Sequence, residues 1–350
     1  MRRNGEKFFG TSIPVLCILF LLAAGCRGSR DQEPGAVSLG VFIPGLMSGS
    51  PIYEMLAQGV KRAAADFSRE QSAAGGVEVT VIEGGYNQAE WESRITAMAA
   101  SGNYDLIISS NPSLPAIAQA VSVKFPKQRF LLLDGEIQGN PMIYAMRYNQ
   151  GEQAYMAGHI AALAALDLAA GKAPKIGLVA GQEYPVMNTI ILPNYLKGAR
   201  AADPRSTVDF RVVGNWFDAA KGAEIGLDMI REGTAVILPI AGGANEGVLR
   251  AAADEGAKVV WFDINGYALS PGTVVGSSVL RQDKAAYTQT KRFLSGELPF
   301  GRAEIVGAAD GYVDFIEDDP DYIASVSPGI REKQGRLLAR IRAGMLQLEE

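Results

Sequence analysis

The feature that most constrains this chain is a set of short, unbroken apolar runs, among them "DLIIS", "FLLLD" and "KVVWFD", separated by longer stretches with helical spacing. A strand with one wet face alternates apolar and polar residues. A strand covered on both faces reads as a continuous apolar run, and such strands belong to parallel sheets flanked by helices. Strands are expected at Val37–Pro44, Val77–Glu83, Asp105–Ser110, Arg129–Asp134 and Met142–Asn149. A second series follows at Lys175–Gly181, Val208–Asn215, Ala235–Ala241 and Lys258–Asp263, with a late run at Val274–Arg281. Helical patterns at Ile52–Phe67, Gln88–Ala100, Gly151–Ala170, Ala219–Arg231 and Lys284–Gly296 lie between them. Two series of strand, helix, strand predict an α/β protein of two doubly wound parallel-sheet lobes. The first lobe is expected to hold residues 37–148 plus 276–299, and the second 149–275 plus 300–350. Several crossings between lobes make a hinge.

The start of the chain reads differently. Arg2, Arg3 and Lys7 precede an apolar run, Val15 to Ala24, and "AAGC" ends at Cys26. This is the pattern of a secretory signal, too short to span a bilayer comfortably. Small residues before a cysteine resemble a bacterial lipobox, with Cys26 as the lipidation site after removal of residues 1–25. Leucine, usual three places before the cysteine, is absent there; Ala23 stands in its place and Leu22 one place early. "RGSRDQEPGA" then reads as a polar tether over 26–36. Cys17 lies inside the signal, so the remaining chain has no cysteine for disulfide or thiol chemistry.

Charge and composition exclude several functions. Residues 1–25 carry Arg2, Arg3, Lys7 and Glu6, so removing them turns 33 basic and 38 acidic residues into 30 and 37. A net −7 opposes a nucleic-acid partner. The single histidine, His159, precludes a multi-histidine metal site and a catalytic triad. "GGANEG" is not a dinucleotide fingerprint, and no phosphate-loop pattern occurs. No catalytic residue, metal or cofactor is expected.

Ligands of open α/β folds sit at the carboxyl ends of strands. Those ends here collect rings, amides and carboxylates: Ser50 and Tyr53; Tyr86, Asn87 and Trp91 of "EGGYNQAEW"; Asn111; Asp134; Tyr184; Trp216 and Phe217; Gly242 and Gly243; Asp263. Most also have a structural reading. Asn87 with Glu90 is equally a helix cap, Asn111 before Pro112 a turn, and Tyr53 an ordinary core ring. Asp134 and Asp263 stand apart, because each ends a strongly apolar strand where an unpaired carboxylate is costly. A ligand N–H or hydroxyl is a natural partner for each.

"KFPKQRFLLLDGEIQGNPMIYAMRYNQGEQAYMAGHIAA" (Lys124–Ala162), with "KIGLVAG", "ILPIAGGANEGVLRAA" and "VVWFDINGY", resembles the basic-membrane-protein family of lipoprotein substrate-binding components of ABC importers. The likeness runs from about Val37 to Phe315. It implies the periplasmic-binding-protein type I fold, a lipid-anchored, exported monomer, and ABC permease and ATPase partners. Better-known members bind purine nucleosides. In that branch an aspartate after "FLVID" holds the base, and Asp134 occupies its position. An aspartate in "GVD" and a later lysine hold the ribose; Asp263 matches the first, and Arg281 stands where the lysine would be. A phenylalanine opposite the base falls on Trp216 or Phe217, and a glycine contact on Gly242 or Gly243. The first loop departs: "PGLMSGSPIYEML" lacks the acidic segment ending in Ser-Phe-Asn. That loop, with "EGGYNQAEW" and "SSNPSLP", resembles the riboflavin-binding branch, which implies a wide, flat ring edged with hydrogen-bonding groups. A secreted nucleoside hydrolase is the alternative of another class, but it needs an acid–base pair or metal cluster that the residues do not assemble. A sensor of the same fold, feeding a membrane receptor without transport, is a third reading.

Overall fold

The computed structural model describes residues 36–71, 76–85, 87–168, 172–346 and 348. The expected signal, Cys26 and all but the last residue of the tether lie outside them. Each lobe is built on one six-stranded sheet. The first uses β1 (Val37–Ile43), β2 (Val77–Glu83), β3 (Leu106–Ser110), β4 (Arg129–Leu133) and β5 (Ile143–Tyr148). The second uses β6 (Lys175–Ala180), β7 (Thr207–Val212), β8 (Val236–Ile240), β9 (Lys258–Asp263) and β10 (Val274–Leu280). The short strands β11 (Ala303–Val306) and β12 (Val313–Phe315) complete them.

In both sheets the first strand of the lobe sits between the second and the third. The spatial order is β2-β1-β3-β4-β5-β11 in one lobe and β7-β6-β8-β9-β10-β12 in the other. All pairings are parallel except β10 with β12. Chain direction across the sheet reverses between β1 and β3, and between β6 and β8. A crevice opens at such a switch point, outside the carboxyl ends of the strands. The fully apolar runs behave as their composition requires: β3, β8 and β10 are buried along their whole length.

Helices α1 (Pro51–Gln71), α2 (Trp91–Ser101) and α3 (Leu114–Lys124) cover the first sheet. Helices α4 (Gln150–Leu168), α5 (Leu192–Ala202), α6 (Ala219–Arg231) and α7 (Asn245–Glu255) cover the second. Helix α8 (Gln282–Leu294) returns to the first lobe and packs on α1, where Tyr287 donates to Asp66 at 3.0 Å and Arg62 meets Asp283 at 3.3 Å. Helices α9 (Pro320–Ser325) and α10 (Pro328–Arg342) finish the chain, and α10 lies on α4.

The late strand departs from expectation. Residues 276–280 were expected in the first lobe, yet β10 pairs with β9 in the second sheet. The return strand is β11, which pairs with β5 and was missed because "AEIV" is too short to show a period. The chain therefore crosses between lobes three times: from β5 to α4, from β10 to α8, and from β11 to β12. Hydrogen bonds tie the crossings together. Asn149 N–H donates to the Val306 carbonyl at 2.8 Å, Arg281 N–H to the Tyr312 carbonyl at 2.8 Å, and Ala308 N–H to the Glu152 carboxylate at 2.7 Å. The Tyr148 hydroxyl donates to Gln282 between two of them.

Candidate functional site

Asp134 and Asp263 occupy equivalent places, each at the end of the fourth strand of its lobe. They are the only non-glycine residues among those described with positive φ, 56° and 71°. The left-handed conformation costs an ordinary residue about 1–2 kcal/mol, and Asp tolerates it through its short polar side chain. In both lobes the chain leaves the sheet at this residue. Burial, then the negative charge of Asp263, pushes the Asp134 carboxyl up to about 7, with Arg147 acting against them. Burial pushes Asp263 up to about 6, opposed by the hydrogen bond from Gln153. The two carboxylates thus feel each other across the gap between lobes, and Asp134 accepts no hydrogen bond among the described residues.

Gln153 is the partner that sequence reasoning missed. It is fully buried on the first turn of α4. Its Nε2 donates to Asp263 Oδ1 at 3.0 Å and to the Ser278 carbonyl at 3.1 Å. The Ser278 hydroxyl in turn donates to the Gln153 carbonyl at 2.9 Å. A glutamine inside an alanine-rich helix gives no local sign that it holds a carboxylate 110 positions away.

An aromatic wall faces the aspartates. Trp216 stands at the end of β7, 40 % exposed, with its indole N–H donating to Gln182 at 3.2 Å. The Tyr184 ring lies 6.0 Å away, tilted 48°. The ring of Trp216 rests on bare backbone: a Cβ on Gly181 would stand 2.6 Å from it. From the other lobe, Tyr53 lies near Asp134, and burial raises its hydroxyl pKa. Asn111 donates weakly to the Tyr53 hydroxyl, at 3.5 Å. Ser50, Tyr53, Trp216, Gly242, Gly243 and Asp263 line one cleft of about 800 Å³. Ligand pockets commonly measure about 300–1,000 Å³. Asn111 also keeps its turn role, accepting from Ser113 N–H at 2.9 Å.

Several expected site residues do something else. Trp91 is a core residue, 7 % exposed, packed with Phe42 and Ile95, its indole N–H on the Gly85 carbonyl at 3.1 Å. Gly84 is bare because Phe42 and Trp91 crowd it; a Cβ there would meet the Phe42 ring at 2.6 Å. Asn87 is exposed and caps the short turn Gln88–Glu90, accepting from Ala89 N–H at 3.2 Å and donating to Glu90 at 2.9 Å. The physical reason is local: Trp91 opens α2, whose buried face packs on the first sheet, and Asn87 is taken up in capping the turn before it. Tyr86 lies outside the described residues. Phe217 points to solvent, 79 % exposed, leaving Trp216 as the ring in the cleft. Arg281 is not available as a free cation at the strand end; its guanidinium meets Asp314 at 2.8 Å, and Arg342 also holds that carboxylate, at 2.7 Å. Among the described residues no group of three or more His, Cys, Asp or Glu could hold a metal ion.

The arrangement suits a flat ring held against Trp216, with proton donors presented to the Asp263 carboxylate on the cleft wall and to Asp134 beside Tyr53. Comparison with known proteins agrees with a solute receptor. The family model described as ABC transporter substrate-binding protein PnrA-like matches residues 36–347. Basic membrane protein D of Borreliella burgdorferi is 24% identical over 296 residues, 83% of this chain and 82% of that protein. The ABC transporter nucleoside-binding protein BmpA of Lactococcus lactis is 30% identical over 163 residues, 47% of this chain and 42% of that protein. Among solved structures, an ABC transporter solute-binding protein from Aeropyrum pernix superposes with a TM-score of 0.75 at 22% identity, over 89% of this chain and 93% of that one. These sheets and that superposition establish the two-lobed α/β fold of type I periplasmic binding proteins.

Proposed function

Because the chain belongs to the PnrA-like family of ABC transporter substrate-binding proteins, we propose that its cleft captures a flat heteroaromatic ring bearing a hydroxylated chain, riboflavin first. The observation that carries this reading is the cleft that Tyr53, Trp216 and Asp263 line together, with the Asp134 carboxyl close to both Tyr53 and Asp263. The ring stacks on Trp216. Asp134 accepts from the ring edge, and Asp263, oriented by Gln153, accepts from the chain hydroxyls. Each accepted bond relieves a buried carboxylate, worth about 1–3 kcal/mol. Ligand touching both lobes favours the closed form through the three-strand hinge. The closed form is read by an ABC permease with its ATPase. The receptor is exported, held to the membrane through a lipid on Cys26, and acts as a monomer.

The neutral first loop, with Ser50 and Tyr53 on the cleft wall, supports the flavin. A purine nucleoside is the second reading, favoured by the nucleoside-binding relative from Lactococcus lactis. Titrating riboflavin with protein separates them. Stacking on an electron-rich ring quenches flavin emission to a saturating endpoint. Trp216→Ala weakens binding by at least the stacking contribution, about 0.5–1.5 kcal/mol, while Phe217→Ala leaves it unchanged. If riboflavin is not quenched and guanosine, inosine or adenosine binds calorimetrically, the nucleoside takes its place.

A further inference from the structure

A second cavity, about 460 Å³, opens between α4, the end of α5 and α10, and shares no lining residue with the cleft. Tyr155, His159 and Leu163 reach it from successive turns of α4. Lys333, Arg336 and Arg340 reach it from one face of α10, at helical spacing. Three cations around one hollow are unusual on a chain of net charge −5. Arg336 is paired with Glu332. Lys333 and Arg340 have no ion pair among the described residues.

His159 is 8 % exposed. Its Nδ1 lies 2.6 Å from Gln334 Oε1. Gln334 Nε2 donates to the Met156 carbonyl at 3.2 Å, which fixes the amide so that its oxygen faces the ring. Nδ1 therefore carries the proton, and Nε2 keeps a lone pair. Burial first, and the nearby Lys333 charge, hold the ring neutral by lowering its pKa. Burial raises the Tyr155 hydroxyl pKa, and the nearby Arg340 charge acts against it.

An occupant matched to this cavity supplies two things at once: a proton to the His159 Nε2 lone pair and negative charge to Lys333 and Arg340. A carboxylate or a sulfate at neutral pH has the charge and no proton. A phosphate group takes up its second proton at about pH 6, so it can present a P–OH to Nε2 together with P–O⁻ oxygens to the cations. The apolar sides of Tyr155, Leu163 and Leu337 offer contact to an organic remainder. We propose that this cavity is a binding site for the phosphate monoester of a small organic molecule, distinct from the cleft.

The chain carries a single histidine, so the ring C–H resonances of His159 report on this cavity alone. The test titrates the full protein with inorganic phosphate and with phenyl phosphate, with sodium chloride at matched ionic strength as control. Both phosphates are expected to shift the His159 resonances to saturation, with phenyl phosphate the tighter and its Kd about 1 mM or below. The exposed double variant Lys333→Gln, Arg340→Gln, which keeps the helix face polar, is expected to lose at least tenfold in affinity for either. Absence of a saturable shift, an equal shift from sodium chloride, or unchanged affinity in the double variant overturns the site. Equal affinity for the two phosphates identifies free phosphate as the occupant and overturns the monoester. The double variant lies on α10, away from the cleft lining, so its loss of phosphate affinity stands apart from the fate of the flavin reading.

Discussion

Asp134→Asn should make the empty protein more stable and the receptor weaker, and the gain in stability should grow with pH. The Asp134 carboxyl is pushed from 3.8 to about 7 by burial and by Asp263. The folded protein therefore holds this proton more tightly than the unfolded chain does. Stability from this group is fullest below 3.8 and declines as pH rises through about 7. At 1.36 kcal/mol for each tenfold change in proton affinity, ionisation costs the fold about 1.7 kcal/mol at pH 5 and about 4.3 kcal/mol at pH 8. Water in the cleft screens part of this. The expected gain of the Asn variant is therefore larger at pH 8 than at pH 5 by about 1–2.6 kcal/mol. Urea unfolding of both proteins at the two pH values measures it. Both must first be stripped of ligand, since bound ligand stabilises the wild type by mass action. Losing a charged acceptor should meanwhile weaken ligand binding by about 1.5–3 kcal/mol, tenfold or more. An equal gain at the two pH values, or a variant less stable at pH 8, refutes the account of a carboxylate held short of proton donors.

Trp91→Ala should cost about 3–5 kcal/mol in stability with ligand affinity in the folded variant unchanged; a selective loss of affinity would return Trp91 to the cleft. Cys26→Ser should abolish metabolic labelling with an acyl chain and release the protein from the membrane fraction, whereas continued labelling rules out this anchor. Hinge closure should shorten the radius of gyration in solution scattering when a ligand shown to bind is added; identical curves speak for a rigid receptor.

The sequence by itself determined the layers. "DLIIS", "FLLLD" and "KVVWFD" could only be strands covered on both faces, and β3, β4 and β9 lie where those runs predict. It also determined the two aspartates, because a carboxylate closing an apolar strand is legible locally as a group in need of donors. Asp134 and Asp263 end equivalent strands, both in the left-handed conformation. What only the tertiary structure decided is which strand ends meet. β2 carries as inviting a sequence as any other strand, with "EGGYNQAEW" at its end, but the packing of α2 on the sheet turns Trp91 into the core. Trp216 and Phe217 are adjacent in the chain, and only the resting of one ring on Gly181 separates a cleft wall from an exposed surface. Arg281 is drawn to Asp314 by the antiparallel pairing of β10 with a three-residue strand that has no readable period. Gln153, on the turn that opens α4, reaches Asp263 at the end of β9 within the second lobe. Burial and period are local properties of a chain. Sheet order and side-chain partners depend on contacts between distant segments, and the physics that fixes them acts only once those segments have packed.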